Sequence, residues 1–341
     1  MVPTTTLNRF IQSQERQHRE QLTREREGEI PSGELSDLLS AVALGVKIIG
    51  NLISTSGLKG IGGYTAKVNV QGESVHALDE EADQILVEIL GSSGHFGLLL
   101  SEERDSVIES ARGHASAKYV LAFDPVDGSS NLGSNIPVGT IFCIFRKSDT
   151  GRVADQSDFL QSGRKIVAAG YGLYGSRTSF VYSAGRGVHE FILDPAIGEF
   201  MIMDPNIQSP ARGSTYSINE GNHITWPAGV RKFVDAVKVS DKAAGTPYSL
   251  RYTGSLVADF DRNLKRGGIF MYPPDDKHIQ GKLRLLYECF PLAFLAEQAG
   301  SRAFNGAMDI LDMVPEQVHQ RCPLYVGTKH EVDWLQKSML N

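Results

Sequence analysis

FDPVDGSSN, residues 123–131, overlaps the end of an apolar segment at 118–123 whose composition predicts a buried strand. Asp124 precedes a proline, which favours extended backbone, and Gly128 permits a sharp turn. The carboxylates of Asp124 and Asp127 can therefore face a single point at the end of that strand. Open α/β sheets tend to bind their ligands at such strand ends.

The groups on this turn are suited to holding a cation next to a phosphate. Two neighbouring carboxylates repel unless a positive charge lies between them or one of them is protonated. Hard divalent cations such as Mg²⁺ or Mn²⁺ accept oxygen ligands of this kind, and the carbonyl of Val126 could supply another. The N–H groups of Gly128, Ser129 and Ser130 could form an anion-binding nest, so metal-assisted hydrolysis of a phosphate ester is one interpretation. The alternative is a turn with solvated carboxylates, because Asp, Gly and Ser dominate turns.

Further acidic residues repeat this pattern elsewhere in the chain. Glu102 and Glu103 follow another apolar segment, and adjacent residues of extended chain point in opposite directions, so one can bind a metal while the other holds a water. An exposed polar strand end is the alternative. Asp79 precedes two further acids, a pattern that the first turn of a helix also favours. Glu288 lies in an apolar segment, where either a metal or an arginine partner would stabilise its charge.

Basic and aromatic residues in the second half of the chain are suited to a sugar phosphate. Lys282 and Arg284 lie two residues apart, so in extended chain they share a face and could bind a second phosphate, although a solvated basic edge has the same pattern. The Walker-type phosphate loop, the serine-hydrolase elbow and the zinc-protease histidine pair are all missing from the sequence. The predicted chemistry therefore depends on the acidic residues.

Hydrophobic periodicity predicts a layered fold of mixed helices and strands. Apolar residues at spacings of three and four predict a helix at 34–53, and a glycine-rich stretch at 57–63 predicts a loop. Further helices are predicted at 79–90 and 288–299, and strands at 95–100, 118–123, 139–145, 165–173, 178–184, 188–193 and 268–272. Mixed elements in this order predict an α/β or α+β layered fold. A shift in composition near residue 200, together with the length of 341 residues, predicts two domains, at 1–200 and 201–341.

Composition limits the class of protein. A net charge of −6 argues against a dedicated nucleic-acid binder, and three widely spaced cysteines form no disulfide framework, which favours a reducing compartment. No apolar run of about 18 residues and no signal-peptide pattern is present, so no membrane partner is expected and a cytoplasmic location is predicted. The ending Gln336–Asn341 is not a peroxisomal signal, and a peroxisome-like organelle stays open only if the natural chain continues beyond Asn341.

Several motifs together are specific to one family. They are Leu100-Ser-Glu-Glu103, Phe123–Asn131, Gly139-Thr-Ile-Phe142, Leu193–Phe200 and Gly281–Cys289. On these motifs the chain resembles the class I fructose-1,6-bisphosphatases from about residue 7 to residue 337. The resemblance implies a sugar phosphatase fold of stacked α/β/α/β/α layers and a homotetramer. It also implies hydrolysis of fructose 1,6-bisphosphate to fructose 6-phosphate in gluconeogenesis, with more than one Mg²⁺, Mn²⁺ or Zn²⁺ ion per subunit.

The same resemblance implies roles for residues at matching positions. The implied metal ligands are Glu102, Asp124, Asp127, Glu288 and the carbonyl of Val126. The residues implied to orient or deprotonate the attacking water are Asp79, Glu103 and Glu73, the last of which stands where the family usually has aspartate. Contacts to the 1-phosphate are implied for Gly128, Ser129 and Ser130. Contacts to the 6-phosphate end are implied for Asn219, Tyr252, Tyr272 and Lys282, with Arg251 reaching in from a neighbouring subunit. Asn222 replaces a tyrosine common in the family, so one contact to the 6-phosphate is altered or lost.

Inhibition by AMP at a remote site is a further property of that family. The resemblance implies contacts from Ser32, Gly33, Glu34, Leu35, Lys118, Tyr119 and Arg146. A helix that begins at residue 33 would also offer N–H groups to an anion, and Lys118 would add positive charge. Pro31 departs from the family's usual glycine, and residues 57–73 resemble the family's mobile loop.

Two other enzymes and one other class of protein remain as alternatives. A sedoheptulose-1,7-bisphosphatase or an inositol-phosphate phosphatase would share the acidic turn. The segment 281–289 favours the fructose enzyme, since the inositol group usually has Trp-Asp near its last ligand. A non-catalytic AMP sensor would keep the fold, but the presence of all the acidic positions argues against it.

Overall fold

The structure is a computed structural model, and it describes residues 4–25, 33–59, 64–68, 74–109, 117–149 and 151–340. The helices are α1 Leu7–Glu25, α2 Glu34–Lys59, α3 Ala77–Ser93, α4 Ala228–Lys238, α5 Leu256–Arg266, α6 Phe290–Gln298 and α7 Lys329–Leu340. The strands are β1 Tyr64–Val68, β2 Ser74–His76, β3 Phe96–Ser101, β4 Ile108–Glu109, β5 Tyr119–Asp127, β6 Val138–Arg146, β7 Ile166–Tyr174, β8 Thr178–Ser183, β9 Val188–Asp194, β10 Glu199–Ile207, β11 Thr215–Ser217, β12 Ser249–Leu250, β13 Ile269–Tyr272, β14 Leu283–Arg284, β15 Arg302–Phe304, β16 Arg321–Cys322 and β17 Leu324–Gly327.

Two large sheets organise these elements. The first has eight strands in the order β10-β9-β8-β7-β6-β5-β3-β4, and its neighbours are antiparallel except for the parallel pair β3 and β5. The second has five strands in the order β12-β11-β13-β17-β15. Because β3 and β5 are parallel, their carboxyl ends lie at the same edge of the sheet, and the residues that follow them can meet there.

Alternation of apolar residues along the strands produces a layered core. On β3 and β5, Leu99 and Leu121 face a core shared with α1, α2 and α3, whereas Leu98 and Val120 face a core shared with α5, α6 and the five-stranded sheet. The other face of the five-stranded sheet packs against α4 and α7. This order of helices and sheets confirms the α/β/α/β/α sugar phosphatase fold.

Two helix boundaries differ from the sequence-based prediction. Helix α2 continues to Lys59, so the start of the stretch at 57–63 is helical rather than a loop, while residues 60–63 lie outside the described residues. The helix predicted from residue 288 begins as a π-helical turn, Leu285–Cys289, which passes directly into α6. Residue 200, where a domain boundary is predicted, lies within β10, and the division into two domains stays a prediction.

Helix α2 is the element that tests the prediction of no membrane partner. Residues Glu34–Ser56 are long and apolar enough to cross a membrane by length and composition. Half of the apolar stretch is buried, and Leu38, Val42 and Val46 pack into the core against the large sheet. Burial of this face is what a core helix requires, and length and composition alone are weak evidence for a membrane.

Candidate active site

The ends of β3 and β5 bring two sequence-distant acidic segments together. Ser101, the last residue of β3, pairs with Phe123 of β5, and the N–H of Glu102 donates to the carbonyl oxygen of Phe123 at 3.1 Å. Glu102 and Asp124 therefore leave neighbouring parallel strands at the same edge of the sheet. This is the strand-end location that the sequence predicts for a ligand site.

A β-bulge places both acids of the turn on one side of β5. Asp124 pairs with Ile141 of β6, but Asp127 pairs with Gly139, so three steps along β5 match two along β6. Residues three apart in a regular strand point to opposite faces, and the extra residue corrects this. The hydroxyl of Thr140 donates to the carbonyl of Pro125 at 2.7 Å and holds the bulge in place.

Glu288 reaches the same point from the π-helical turn. Turns of this kind are frequent at functional sites because the extra residue redirects side chains. The N–H of Arg284 donates to Glu288 Oε2 at 2.5 Å, and the guanidinium of Arg284 lies 3.9 Å from the same oxygen. Ligand oxygens of Asp124, Asp127 and Glu288 all lie within 4.8 Å of one another.

Burial makes the negative charge of this cluster costly. It raises the pKa of Asp124 well above its usual range, and the neighbouring Glu102, Asp127 and Glu288 raise it further. Burial likewise raises the pKa of Asp127 to about 7, although a hydrogen bond from the N–H of Val257 at 2.8 Å opposes the shift. The pKa of Glu288 rises to about 8, again through burial and against the opposing charge of Arg284. A hard divalent cation would stabilise the ionised form of these three buried acids, and their oxygen atoms are the ligands that such a cation prefers.

Glu102 has an arginine partner that the sequence-based reasoning did not assign to it. Arg284 Nη2 lies 2.6 Å from Glu102 Oε1, and both side chains are almost fully buried. Glu288 thus lies both in a group of carboxylates that could hold a metal and 3.9 Å from the guanidinium of Arg284. Arg284 lines the same cavity as Lys282, but its guanidinium pairs with carboxylates, and a shared contact to a second phosphate stays a prediction. The four-residue spacing of Arg284 and Glu288 indicates their pairing, whereas the sequence carries no signal for the pairing of Arg284 with Glu102.

A cavity of about 520 Å³ surrounds this cluster. Its lining includes the predicted site residues Asp79, Glu102, Glu103, Asp124, Val126, Asp127, Gly128, Ser129, Ser130, Tyr252, Tyr272, Lys282 and Glu288. Gly128 has a left-handed backbone with φ of 78°, which allows the chain to turn sharply before the short 3₁₀ helix Ser129–Ser134. The structure therefore gathers the predicted metal, water and 1-phosphate residues in one space, apart from Glu73, which lies outside the described residues.

The distal end of this cavity continues into a small hollow. Tyr252 and Tyr272 line both spaces, and Asn219 and Asn222 line the hollow, whose volume is about 20 Å³. Arg251 is exposed, lines neither space, and donates to its neighbour's carbonyl, that of Leu250, at 2.9 Å. The subunit thus contains the predicted 6-phosphate residues together, with the exception of Arg251.

A second cavity, of about 430 Å³, lies at the opposite end of β5. The predicted residues Gly33, Leu35, Lys118, Tyr119 and Arg146 line it, and Tyr119 pairs with Arg146 across β5 and β6. Glu34 lies beside this cavity, where its carboxylate pairs with Lys118 at 3.2 Å, and Ser32 lies outside the described residues.

Sequence reasoning missed part of this second lining. Glu15 and His18 of α1 and Arg186 of the turn between β8 and β9 also face the cavity. Burial and the nearby charge of Arg186 lower the pKa of His18. The polar composition of α1 carried no signal that one of its faces would cover a cavity.

The layered fold and a buried acidic cluster beside a glycine-serine turn are those of the sugar phosphatase class. Family models described as fructose-1-6-bisphosphatase, N-terminal domain and C-terminal domain, match residues 5–205 and 209–340. A class 1 fructose-1,6-bisphosphatase of Chlorobium chlorochromatii is 49% identical over 301 residues, 88% of this chain and 90% of the relative. One of Maridesulfovibrio salexigens is 48% identical over 306 residues, 89% of this chain and 90% of the relative.

Solved structures agree with these matches. The structure of Leishmania major fructose-1,6-bisphosphatase in holo form has a TM-score of 0.91 and 36% identity, and the comparison covers 100% of both chains. The apo form has a TM-score of 0.85 and 34% identity, again over 100% of both chains. The chain belongs to the fructose-1,6-bisphosphatase family.

Proposed function

We propose that the protein is a metal-dependent phosphatase that removes the 1-phosphate of D-fructose 1,6-bisphosphate, giving fructose 6-phosphate and phosphate in gluconeogenesis. The observation that carries this proposal is the meeting of Asp124, Asp127 and Glu288 within 4.8 Å in a cavity that extends to Tyr252 and Lys282. Metal-binding carboxylates at one end and a cationic, phenolic surface at the other match a substrate with a phosphate at each end.

The acidic cluster would hold Mg²⁺ or Mn²⁺, with Zn²⁺ as a further candidate and more than one ion per subunit. Its ligands would be Asp124, Asp127, Glu288, Glu102 and the carbonyl of Val126. The fit depends on the all-oxygen donor set and on the raised pKa values of the buried acids, whose charge a cation would neutralise. Such ions supply Lewis-acid polarisation of the phosphoryl oxygens and lower the pKa of bound water.

The other residues that line the cavity would contact the attacking water or the two phosphates of the substrate. Asp79 is almost fully buried and Glu103 is partly exposed, and both face the cavity, where they would orient the attacking water and accept its proton. N–H groups of Gly128, Ser129 and Ser130 would bind the oxygens of the 1-phosphate. Asn219, Tyr272 and Lys282 would bind the 6-phosphate end.

Phosphate release from fructose 1,6-bisphosphate, titrated with Mg²⁺ and Mn²⁺, tests the proposal. Sedoheptulose 1,7-bisphosphate and inositol 1-phosphate are measured beside it under the same conditions. We expect the highest kcat/KM with the fructose substrate and no turnover after chelation. A higher kcat/KM with either competitor would reassign the substrate, and no release with any divalent ion would favour a non-catalytic sensor.

The second cavity is proposed to bind AMP and to inhibit the enzyme. Apolar walls from Leu39, Ile166 and Tyr182 would pack against the base, while Lys118 and Arg146 would face the phosphate. Glu34 holds Lys118 at 3.2 Å and would share it with the ligand.

A homotetramer in the cytoplasm completes the proposal. Arg251 is exposed and lines neither the acidic cavity nor the hollow of its own chain, which leaves it available to complete a neighbour's 6-phosphate site. Leu44 and Ile48 are exposed by 48% and 40% on one side of α2 and offer an apolar surface for assembly. Light scattering would measure the mass, and a monomer at micromolar concentration would contradict this part. A peroxisome-like location has no support in the described residues.

A further inference from the structure

Three of the residues proposed for 6-phosphate contacts lie on two short segments, whereas Tyr272 and Lys282 lie elsewhere. Asn219 comes two residues after β11, and Arg251 and Tyr252 come directly after β12, the parallel neighbour of β11. The N–H of Arg251 donates to the carbonyl of Tyr216 at 3.0 Å, which ties the backbones of the two segments at one point. Strands of two and three residues give little rigidity, so a well-placed distal end requires further support.

Arg262 of α5 provides that support by hydrogen bonds to both segments. Its Nη2 donates to the hydroxyl of Ser217 at 2.7 Å and to the carbonyl of Arg251 at 2.9 Å. The amide of Asn263 donates to the same hydroxyl at 2.9 Å. One guanidinium therefore joins the end of β11 to the end of β12, immediately before the residues that face the distal hollow.

The N-terminal turn of the same helix binds the carboxylate of Asp127, one of the proposed metal ligands. The N–H of Val257 donates to Asp127 Oδ2 at 2.8 Å, in the first turn of α5, where the helix dipole also favours negative charge. Asp259, which is fully buried, accepts the N–H of Thr253 at 2.9 Å and pairs with Arg262 Nη1 at 2.9 Å. The five helical steps from Val257 to Arg262 span roughly 7.5 Å, so α5 is a short rigid connection between the two ends of the cavity.

We propose that Arg262 is a positioning residue that makes hydrolysis depend on the distal phosphate, and so determines the preference for bisphosphates. It touches no substrate. Through the backbone carbonyl of Arg251 it orients the adjacent Tyr252 relative to the helix that holds Asp127. This inference rests on the proposed bisphosphatase activity and adds a specificity determinant to it.

The test compares substrates with and without the distal phosphate. Arg262→Gln removes the charge, and Arg262→Lys keeps the charge but cannot reach three acceptors at once. Arg266→Gln on the same helix is the matched control, because Arg266 is exposed. For each variant kcat/KM is measured with fructose 1,6-bisphosphate and with fructose 1-phosphate. The affinity for fructose 6-phosphate, which carries the distal phosphate alone, is measured by calorimetry and needs no turnover.

We expect the kcat/KM for fructose 1,6-bisphosphate, divided by that for fructose 1-phosphate, to fall by about 10-fold in Arg262→Gln. The affinity for fructose 6-phosphate should fall by a similar factor. Arg262→Lys should show a smaller loss and Arg266→Gln none. An unchanged ratio and affinity in a folded Arg262→Gln protein would overturn the inference, and so would equal losses with both substrates, which indicate general damage. If Arg262→Gln does not fold, Ser217→Ala carries the same comparison. A wild-type enzyme that releases no phosphate from the bisphosphate would instead overturn the proposed function and this inference with it.

Discussion

The acidic cavity and the second cavity, which Lys118 and Arg146 line, lie at opposite ends of β5 and differ in the charge and polarity of their linings. Asp124 and Asp127 lie at the carboxyl end of β5, while Lys118 and Tyr119 lie at its start beside Arg146 of β6. Eight residues of strand separate the two ends by roughly 25 Å. The two spaces have similar volumes, about 520 and 430 Å³. A single apolar strand thus leads to two cavities of opposite charge, because only its ends leave the core.

The largest expected effect belongs to the acidic end. Asp127→Asn should lower kcat by about 10³-fold, because an amide loses the charge that a divalent ion requires. The fold should survive, since the amide oxygen can still accept the hydrogen bond from Val257. Steady-state phosphate release with Mn²⁺ and circular dichroism measure the two quantities.

Glu102→Gln should give a loss of similar size. Unchanged turnover in both variants would refute the assignment of the metal site. Glu88→Gln, a substitution in α3 outside the cavity lining, is the matched control and should keep wild-type activity.

The basic end should respond to different substitutions. Lys118→Ala combined with Arg146→Ala should raise the AMP concentration for half-inhibition by at least about 10-fold, since two charges facing the phosphate are lost. The rate without AMP should change little, because the site is distant from the chemistry. Lys232→Ala with Lys242→Ala, at exposed positions, is the control for the change in net charge. Equal AMP sensitivity in the two double variants would contradict the placement.

The buried acids also predict how stability depends on pH without metal. Unfolded carboxyls titrate near pH 4, whereas Asp127 and Glu288 in the fold have pKa values of about 7 and about 8. Between about pH 4 and about pH 8 the folded state therefore binds more protons than the unfolded state. The contribution of these two acids to the free energy of unfolding is largest below about pH 4 and falls as the pH rises to about 8. We expect Tm in EDTA to fall by roughly 5 °C from pH 5.5 to pH 8.5. Mn²⁺ should reduce the fall, and Asp127→Asn should flatten it. A Tm in EDTA that rises over this range would contradict the charge assignment.

The smallest expected effect concerns the distal hollow. Asn222→Tyr should raise kcat/KM for fructose 1,6-bisphosphate about 3-fold, by restoring a phenolic contact to the 6-phosphate that the family commonly has. Asn222→Phe supplies the ring without the hydroxyl and serves as its control. A tyrosine variant no better than the phenylalanine variant would show that the hydroxyl makes no such contact.

Local sequence patterns predicted α2, α3, α6, β13, six of the eight strands of the large sheet and many of the residues near the site. The strands of the large sheet and the apolar stripe of α2 follow from periodicity, since side-chain direction repeats every 2 or 3.6 residues. The regular helices α4, α5 and α7 were not predicted, and neither were the elements that deviate from ideal repeats. The extra residue in β5 at Pro125–Val126 and the π-helical turn at Leu285–Cys289 have no periodicity of their own, and both are positioned by neighbours distant in the sequence.

What the sequence determined by itself is the chemistry of single segments: acids at strand ends, a glycine that can turn sharply, and cations near Gly281. What only the tertiary structure decided is which of these groups meet. Arg284 pairs with Glu102, which is distant from it in the sequence. Likewise, α1 brought Glu15 and His18 over the basic cavity. The physical reason is that backbone preferences act over a few residues, whereas the pairing of buried charges depends on every element that closes the space around them.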